Sequence, residues 1–138
     1  HTRSHVYRAI LEGIAYGLRD GMESIEKRTK HSMKELIVSG GGSQSPVAMQ
    51  LTADIFNMPA IRPSTYETSA LGAAINAAVG VGIFRNYEDA VAAMCHRGEV
   101  FEPKAENVEL YEALYQQGYK KMYQQLKPIY QKFRELLH

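Results

Sequence analysis

Glu35-Leu36-Ile37-Val38-Ser39-Gly40-Gly41-Gly42-Ser43-Gln44-Ser45-Pro46 decides the fold, and Val47-Ala48-Met49-Gln50-Leu51-Thr52-Ala53-Asp54-Ile55-Phe56 follows it directly. Leu36, Ile37 and Val38 form a short apolar run of the kind carried by a strand buried on both faces, and the glycines cannot continue it cheaply. A sharp turn must follow. Ser45 is a good helix N-cap, and Pro46 suits the first helical position, where a missing N–H costs nothing. The stretch therefore reads strand, glycine turn, helix. It leaves bare backbone N–H groups at a helix N-terminus, where the macrodipole favours negative charge, and phosphate is the expected visitor. A ligand-free connection needs one residue at φ > 0; three consecutive glycines sacrifice chain entropy unless something must approach the backbone closely.

Upstream, residues 4 to about 29 read as a long helix capped by Ser4, with Val6, Ile10, Ile14, Leu18, Met22 and Ile25 recurring at helical steps and facing a core. Gly13, Gly17 and Gly21 fall four apart on a neighbouring strip, which is costly in propensity and predicts close packing along that line. Downstream, Asn57 and Pro59 stop the helix that begins at Pro46. Ala60-Ile61-Arg62 is a candidate short strand. A helix crowded with small residues opens between Thr65 and Thr68, runs through Val79 and closes at Gly80 and Gly82. Asn86 starts another, over about 87 to 94, with Glu88 and Asp89 in its first turn. Arg97 to Ala105 reads as a loop or extended segment anchored by Phe101. From Asn107, Tyr111, Tyr115, Tyr119, Met122, Leu126, Ile129, Phe133 and Leu137 trace an apolar stripe along a final helix, which Pro128 should kink or split near Gln124.

The 138 residues suffice for one domain, and the 45% apolar and 22% charged fractions are those of a globular protein. With 16 basic and 15 acidic residues the balance is near neutral, which argues against a dedicated nucleic-acid binder. The basic bias near the C-terminus, from Lys120 to Arg134, reads as a solvated helix face. Cys95 is the sole cysteine, so no intrachain disulfide forms, and an inert buried thiol is expected. No apolar run approaches the roughly 20 residues of a membrane span, and no signal-peptide pattern is present, so a cytoplasmic location without membrane attachment is expected.

Catalytic and metal constellations fail to appear. His1 and His5 are four apart with no third ligand, so no metal site is expected. Asp54 and Glu67 are the acids nearest the turn, yet neither reads as a general base. Gly40, Gly42 and Ser45 nearly satisfy G-x-G-x-x-G, and Arg62 lies about 20 residues on, the distance of a ribose-recognition residue. That dinucleotide reading is opposed by the long preceding helix and by the small-residue helix after Pro63.

Three ordered stretches together resemble the FGGY family of carbohydrate kinases: His5-Val6-Tyr7-Arg8-Ala9-Ile10-Leu11-Glu12, like the latter half of its C-terminal signature; Ser39-Gly40-Gly41-Gly42-Ser43-Gln44-Ser45-Pro46 with Gln50 and Asp54, similar to its adenosine-binding loop; and Glu67-Thr68-Ser69-Ala70-Leu71-Gly72-Ala73-Ala74. The resemblance implies an α/β fold: part of a ribonuclease H-like, actin-like ATPase domain, helix-rich, with a short parallel strand pair and a long C-terminal helix. Residues 1–138 would be the C-terminal part of the second domain, with 1–105 a nucleotide-site half-domain and 106–138 a helical extension.

By that resemblance the cofactor is ATP, with Gly41 and Gly42 against its phosphates or ribose, Ser45 near the adenine, and Gly40, Gly41, Gly42 and Ser45 together the nucleotide-binding set. The implied reaction moves the γ-phosphate to a hydroxyl of a ketose or polyol. The family's N-terminal phosphate turn and catalytic aspartate are absent, so no catalytic residue is assigned, Mg2+ would take its ligands outside this chain, and the fragment alone should be inactive. Sugar would bind mainly to the missing N-terminal domain. A non-catalytic assembly or regulatory module, self-associating through exposed apolar faces, and a dinucleotide-binding lobe are the alternatives.

Overall fold

A computed structural model describes residues 1–137. Helix α1 (Arg3–Thr29) leads to strand β1 (Leu36–Ile37), a 3-10 turn at Gly41–Gln44, helix α2 (Pro46–Phe56) and strand β2 (Ala60–Ile61). Helices α3 (Thr68–Gly80) and α4 (Tyr87–Met94), strand β3 (Val100–Phe101) and helix α5 (Ala105–Leu114) follow; a π-helical segment, Tyr115–Tyr119, joins α5 to α6 (Lys120–Leu137). β1 and β2 pair in parallel, Leu36 opposite Ala60 and Ile37 opposite Ile61, which is the short parallel strand pair that the resemblance implies. β3 adds antiparallel to β2, Phe101 opposite Ala60, so the buried β2 is central in a mixed three-stranded sheet.

α2 is the helix on which the rest is hung. Leu51, Ile55 and Phe56 join Ala15, Tyr16 and Met22 of α1 and the tyrosines Tyr111 and Tyr115 in one core cluster. Met49 and Ala53 join Ala60 and Phe101 in a second, against the sheet. Its ends follow the sequence: the Ser45 hydroxyl accepts the Ala48 amide, Pro46 takes the first position, and Asn57 ends the helix at φ 51°. Asn86 caps α4 by accepting the Asp89 amide at 2.8 Å.

Several expectations are corrected. The helix cap is Thr2, not Ser4, with His5 completing a reciprocal capping pair. Of the expected α1 stripe only Met22 is buried, while Val6, Ile10, Ile14, Leu18 and Ile25 are all at least half exposed. The buried face is instead Ala15, Tyr16, Arg19 and Met22, because α1 meets α2 and the tyrosines there, and an arginine at its centre hides the face from a hydrophobic pattern. Of the three stacked glycines only Gly17 is closely approached, by the Tyr119 hydroxyl. Ile37 is exposed, so β1 is not covered on both faces. Cys95 is exposed, since it follows the last turn of α4 on the surface. Pro128 lies inside α6, and the break falls earlier, at Tyr115–Tyr119, where the backbone widens to stack Tyr115 and Tyr119 at 5.9 Å. The apolar stripe is buried at Tyr111 and Tyr115 and exposed at Met122, Ile129, Phe133 and Leu137. Among the described residues no helix is long and apolar enough to cross a membrane.

Candidate functional site

β1 ends as the Val38 amide donates to the Ile61 carbonyl at 2.9 Å, and the Gly40 amide donates to Tyr66 at 3.3 Å. Gly40 then adopts φ +86°, a conformation that costs an L side chain and no glycine. Behind it the turn closes tightly: the Ser43 amide and hydroxyl both donate to the Gly40 carbonyl, at 3.1 and 2.7 Å, and the Ser45 amide donates to Gly42. Ser43 is fully buried. Gly41 and Gly42 are exposed, and a Cβ built on either meets no atom of the described residues within 4 Å. The fold thus needs glycine at position 40, whereas at 41 and 42 it leaves bare backbone facing open space. As the first residues of a helical turn, these two have no acceptor for their amides within the turn itself.

The carbonyl side of the turn is held by Arg62, from the end of β2. Its Nη1 donates to the carbonyls of Ser43 at 3.1 Å and Gln44 at 3.3 Å; its Nη2 pairs with Glu99. The guanidinium lies over the Phe101 ring, 5.6 Å from its centre. Arg62 is therefore turned onto protein carbonyls, against the ribose-phosphate role of the dinucleotide reading.

The acids near the turn take structural places. Asp54 is buried and accepts from Gln50 at 2.9 Å, the Lys104 amide at 2.8 Å and Asn107 at 2.7 Å, which ties α2 to the start of α5. Glu67 is the residue before α3 and makes no side-chain capping bond. Among the described residues no three His, Cys, Asp or Glu gather as metal ligands, and His5 Nδ1 is engaged with Thr2.

Sequence reasoning missed a groove of about 920 Å³ between the N-terminal ends of α1 and α2 and the chain entering α5, lined by Tyr7, Arg8, Ser45, Val47, Gln50 and Lys104 among others. It sets Ser45 at the border between turn and groove; no local pattern encodes it, because it exists only where two helices distant in sequence diverge. At its edge Arg8 donates to the Tyr111 hydroxyl at 2.5 Å and to Glu12 at 2.9 Å, and both bonds raise its pKa above the ordinary arginine value.

The chain matches the model of the "FGGY family of carbohydrate kinases, C-terminal domain" over residues 1–81. It is 43% identical over 117 residues to a xylulose kinase of Lactococcus lactis, covering 84% of this chain and 23% of that protein. The fold superposes on a xylulose kinase from Rhodospirillum rubrum with a TM-score of 0.76 and 32% identity, over 95% of this chain and 26% of the other. A Plasmodium falciparum glycerol kinase solved with ADP superposes at 0.69 with 25% identity, over 86% and 24%. The chain spans about a quarter of the length of the curated relatives it matches.

Proposed function

The chain belongs to the FGGY family of carbohydrate kinases, and on that premise we propose that it is the nucleotide-binding C-terminal part of an ATP-dependent kinase acting on a ketose or polyol. The observation that carries this reading is the open backbone of Gly41 and Gly42, set behind the capped N-terminus of α2 where the fold has no use for a missing side chain. An anionic polyphosphate fits such a place: two unclaimed amides and a helix dipole meet its charge. Gly40 gives the turn its direction, Gly41 and Gly42 face the phosphates or ribose, and Ser45 borders the groove that receives the adenine. Residues 1–105 supply this site within a ribonuclease H-like, actin-like lobe, and 106–138 extend it.

Transfer of a γ-phosphoryl group depends on in-line positioning and on stabilisation of charge at its oxygens. In this reading residues 1–138 contribute the positioning of the donor. The base for the sugar hydroxyl and the groups that would hold Mg2+, whose charge would offset that of the phosphates, would come from the remainder of the longer protein. Xylulose and glycerol kinases among the relatives favour a ketose or polyol acceptor.

The test is made on the complete protein, with ATP and a panel of ketoses and polyols. Phosphorylation of at least one is expected. Gly41→Val should weaken ATP binding by about tenfold or more with little change in the melting curve, because a Cβ at this position stands in open space on the side proposed for the ligand. Unaltered ATP affinity in that variant refutes the site.

A further inference from the structure

The glycine turn has two sides. Its amide side is open, and its carbonyl side is gripped by a single cation whose position is itself determined several times over. The Arg62 amide donates to Glu99 at 2.8 Å and the Ser64 amide to His96 at 3.2 Å, so residues 96–99 run tightly along 62–64. A Cβ on Gly98 would collide with the Arg62 carbonyl and would stand 3.0 Å from Ser64 N. This contact sets the Arg62 backbone, while Glu99 and the Phe101 ring set its guanidinium. What the guanidinium then reaches is the pair of consecutive carbonyls at Ser43 and Gln44. Those carbonyls form the negative end of a short helical turn, where a planar, always charged fork of donors is the best available partner.

We propose that Arg62 is a positioning residue for the nucleotide: by clamping the Ser43 and Gln44 carbonyls it holds the Gly41 and Gly42 amides in the orientation that receives polyphosphate. This rests on the reading of the turn as the ATP site. Arg62 acts through the turn, since both of its terminal nitrogens are already engaged by protein oxygens. Loss of the clamp leaves the carbonyl of the fully buried Ser43 without this partner and lets the turn sample other geometries. The consequence falls on ATP and spares the sugar.

The experiment uses the complete protein with Arg62→Met, Arg62→Lys, Glu99→Gln and Gly41→Val. Amide hydrogen exchange is followed without nucleotide, and KM is measured separately for ATP and sugar. In Arg62→Met the Ser43 and Ser45 amides should exchange faster and KM for ATP should rise about tenfold, with KM for sugar unchanged. Arg62→Lys should recover part of the loss, one ammonium serving one carbonyl. Glu99→Gln, which leaves the clamp but loosens its anchor, should show a smaller change of the same kind. The proposal is overturned if KM for ATP is unchanged in Arg62→Met. It is equally overturned if both KM values rise together with no recovery in Arg62→Lys, the outcome of a merely structural role. If Gly41→Val weakens ATP binding and Arg62→Met does not, the site stands and the clamp falls. If Gly41→Val leaves ATP affinity unchanged, the nucleotide reading fails and takes this role with it.

Discussion

Three residues carry constraints that their neighbours in sequence do not announce. Gly98 is the tightest: a methyl there meets backbone atoms of Arg62, Pro63 and Ser64, which cannot rotate aside. Gly98→Ala should therefore cost about 2 kcal/mol or more in a denaturant titration, and it should do so by parting β2 from β3. Tyr16 presents the opposite case. Its ring stacks 5.7 Å from that of Tyr115, but its hydroxyl is buried with no hydrogen-bond partner among the described residues. Burial, with Glu12 and Tyr111 adding to it, pushes its pKa up to about 12. Since the folded value lies above the unfolded one, the associated stability is complete below about 10 and is lost as pH rises toward 12. Tyr16→Phe should be neutral or stabilising by about 1 kcal/mol, because it removes a desolvated group that has no partner, and its melting temperature should fall less between those pH values. Asp54, close to the glycine turn in sequence, is buried, and its oxygens are occupied by Gln50, the Lys104 amide and Asn107, which leaves it a structural place between α2 and α5.

At the scale of elements, Arg19 joins three helices. From α1 it donates to the Ile55 carbonyl at the end of α2 at 2.8 Å, pairs with Glu23 on its own helix and with Glu112 of α5, and lies 4.1 Å from the Tyr115 ring centre. Burial pushes the Glu112 carboxyl up, but bonds from Gln116 and Arg19, with the charges of Arg19 and Lys120, outweigh it and bring the pKa below the ordinary 4.5. A carboxyl whose folded value is depressed contributes stability above its unfolded pKa and loses it as pH falls through the folded one. Thermal melts taken from neutral pH to below 4.5 should thus decline more steeply in the natural chain than in Glu112→Gln. Because Glu112 is partly exposed, the difference will be modest and will shrink in high salt. An equal slope in both would place the acid sensitivity elsewhere.

For the whole molecule the notable feature is how much apolar surface lies uncovered. Ile10, Ile14 and Leu18 of α1, and Ile129, Phe133 and Leu137 of α6, all stand open. Faces of this kind associate when nothing else covers them. The 138-residue chain studied by itself is expected to sediment above the monomer at high concentration. Ile14→Glu combined with Phe133→Glu should shift it toward monomer, and a clean monomer of the natural chain at high concentration would contradict the expectation.

Locally encoded structure was legible without coordinates: the Ser45-Pro46 start and Asn57 stop of α2, the Asn86 cap, and the turn at Gly40. Each depends on backbone stereochemistry or on hydrogen bonds between near neighbours, and a run of adjacent side chains is enough to specify it. The family was legible for the same reason, since its motifs are contiguous. What tertiary structure alone decided was which face of α1 is buried, where the final helix breaks, that β3 exists, and that Arg62 and Asp54 serve the protein's own carbonyls and amides. Those outcomes are contacts between groups up to about a hundred residues apart, such as Arg8 with Tyr111. On α1 the apolar periodicity favours the stripe through Val6, Ile10, Ile14 and Leu18, and only packing against α2 and the tyrosines buries the face centred on Arg19 instead.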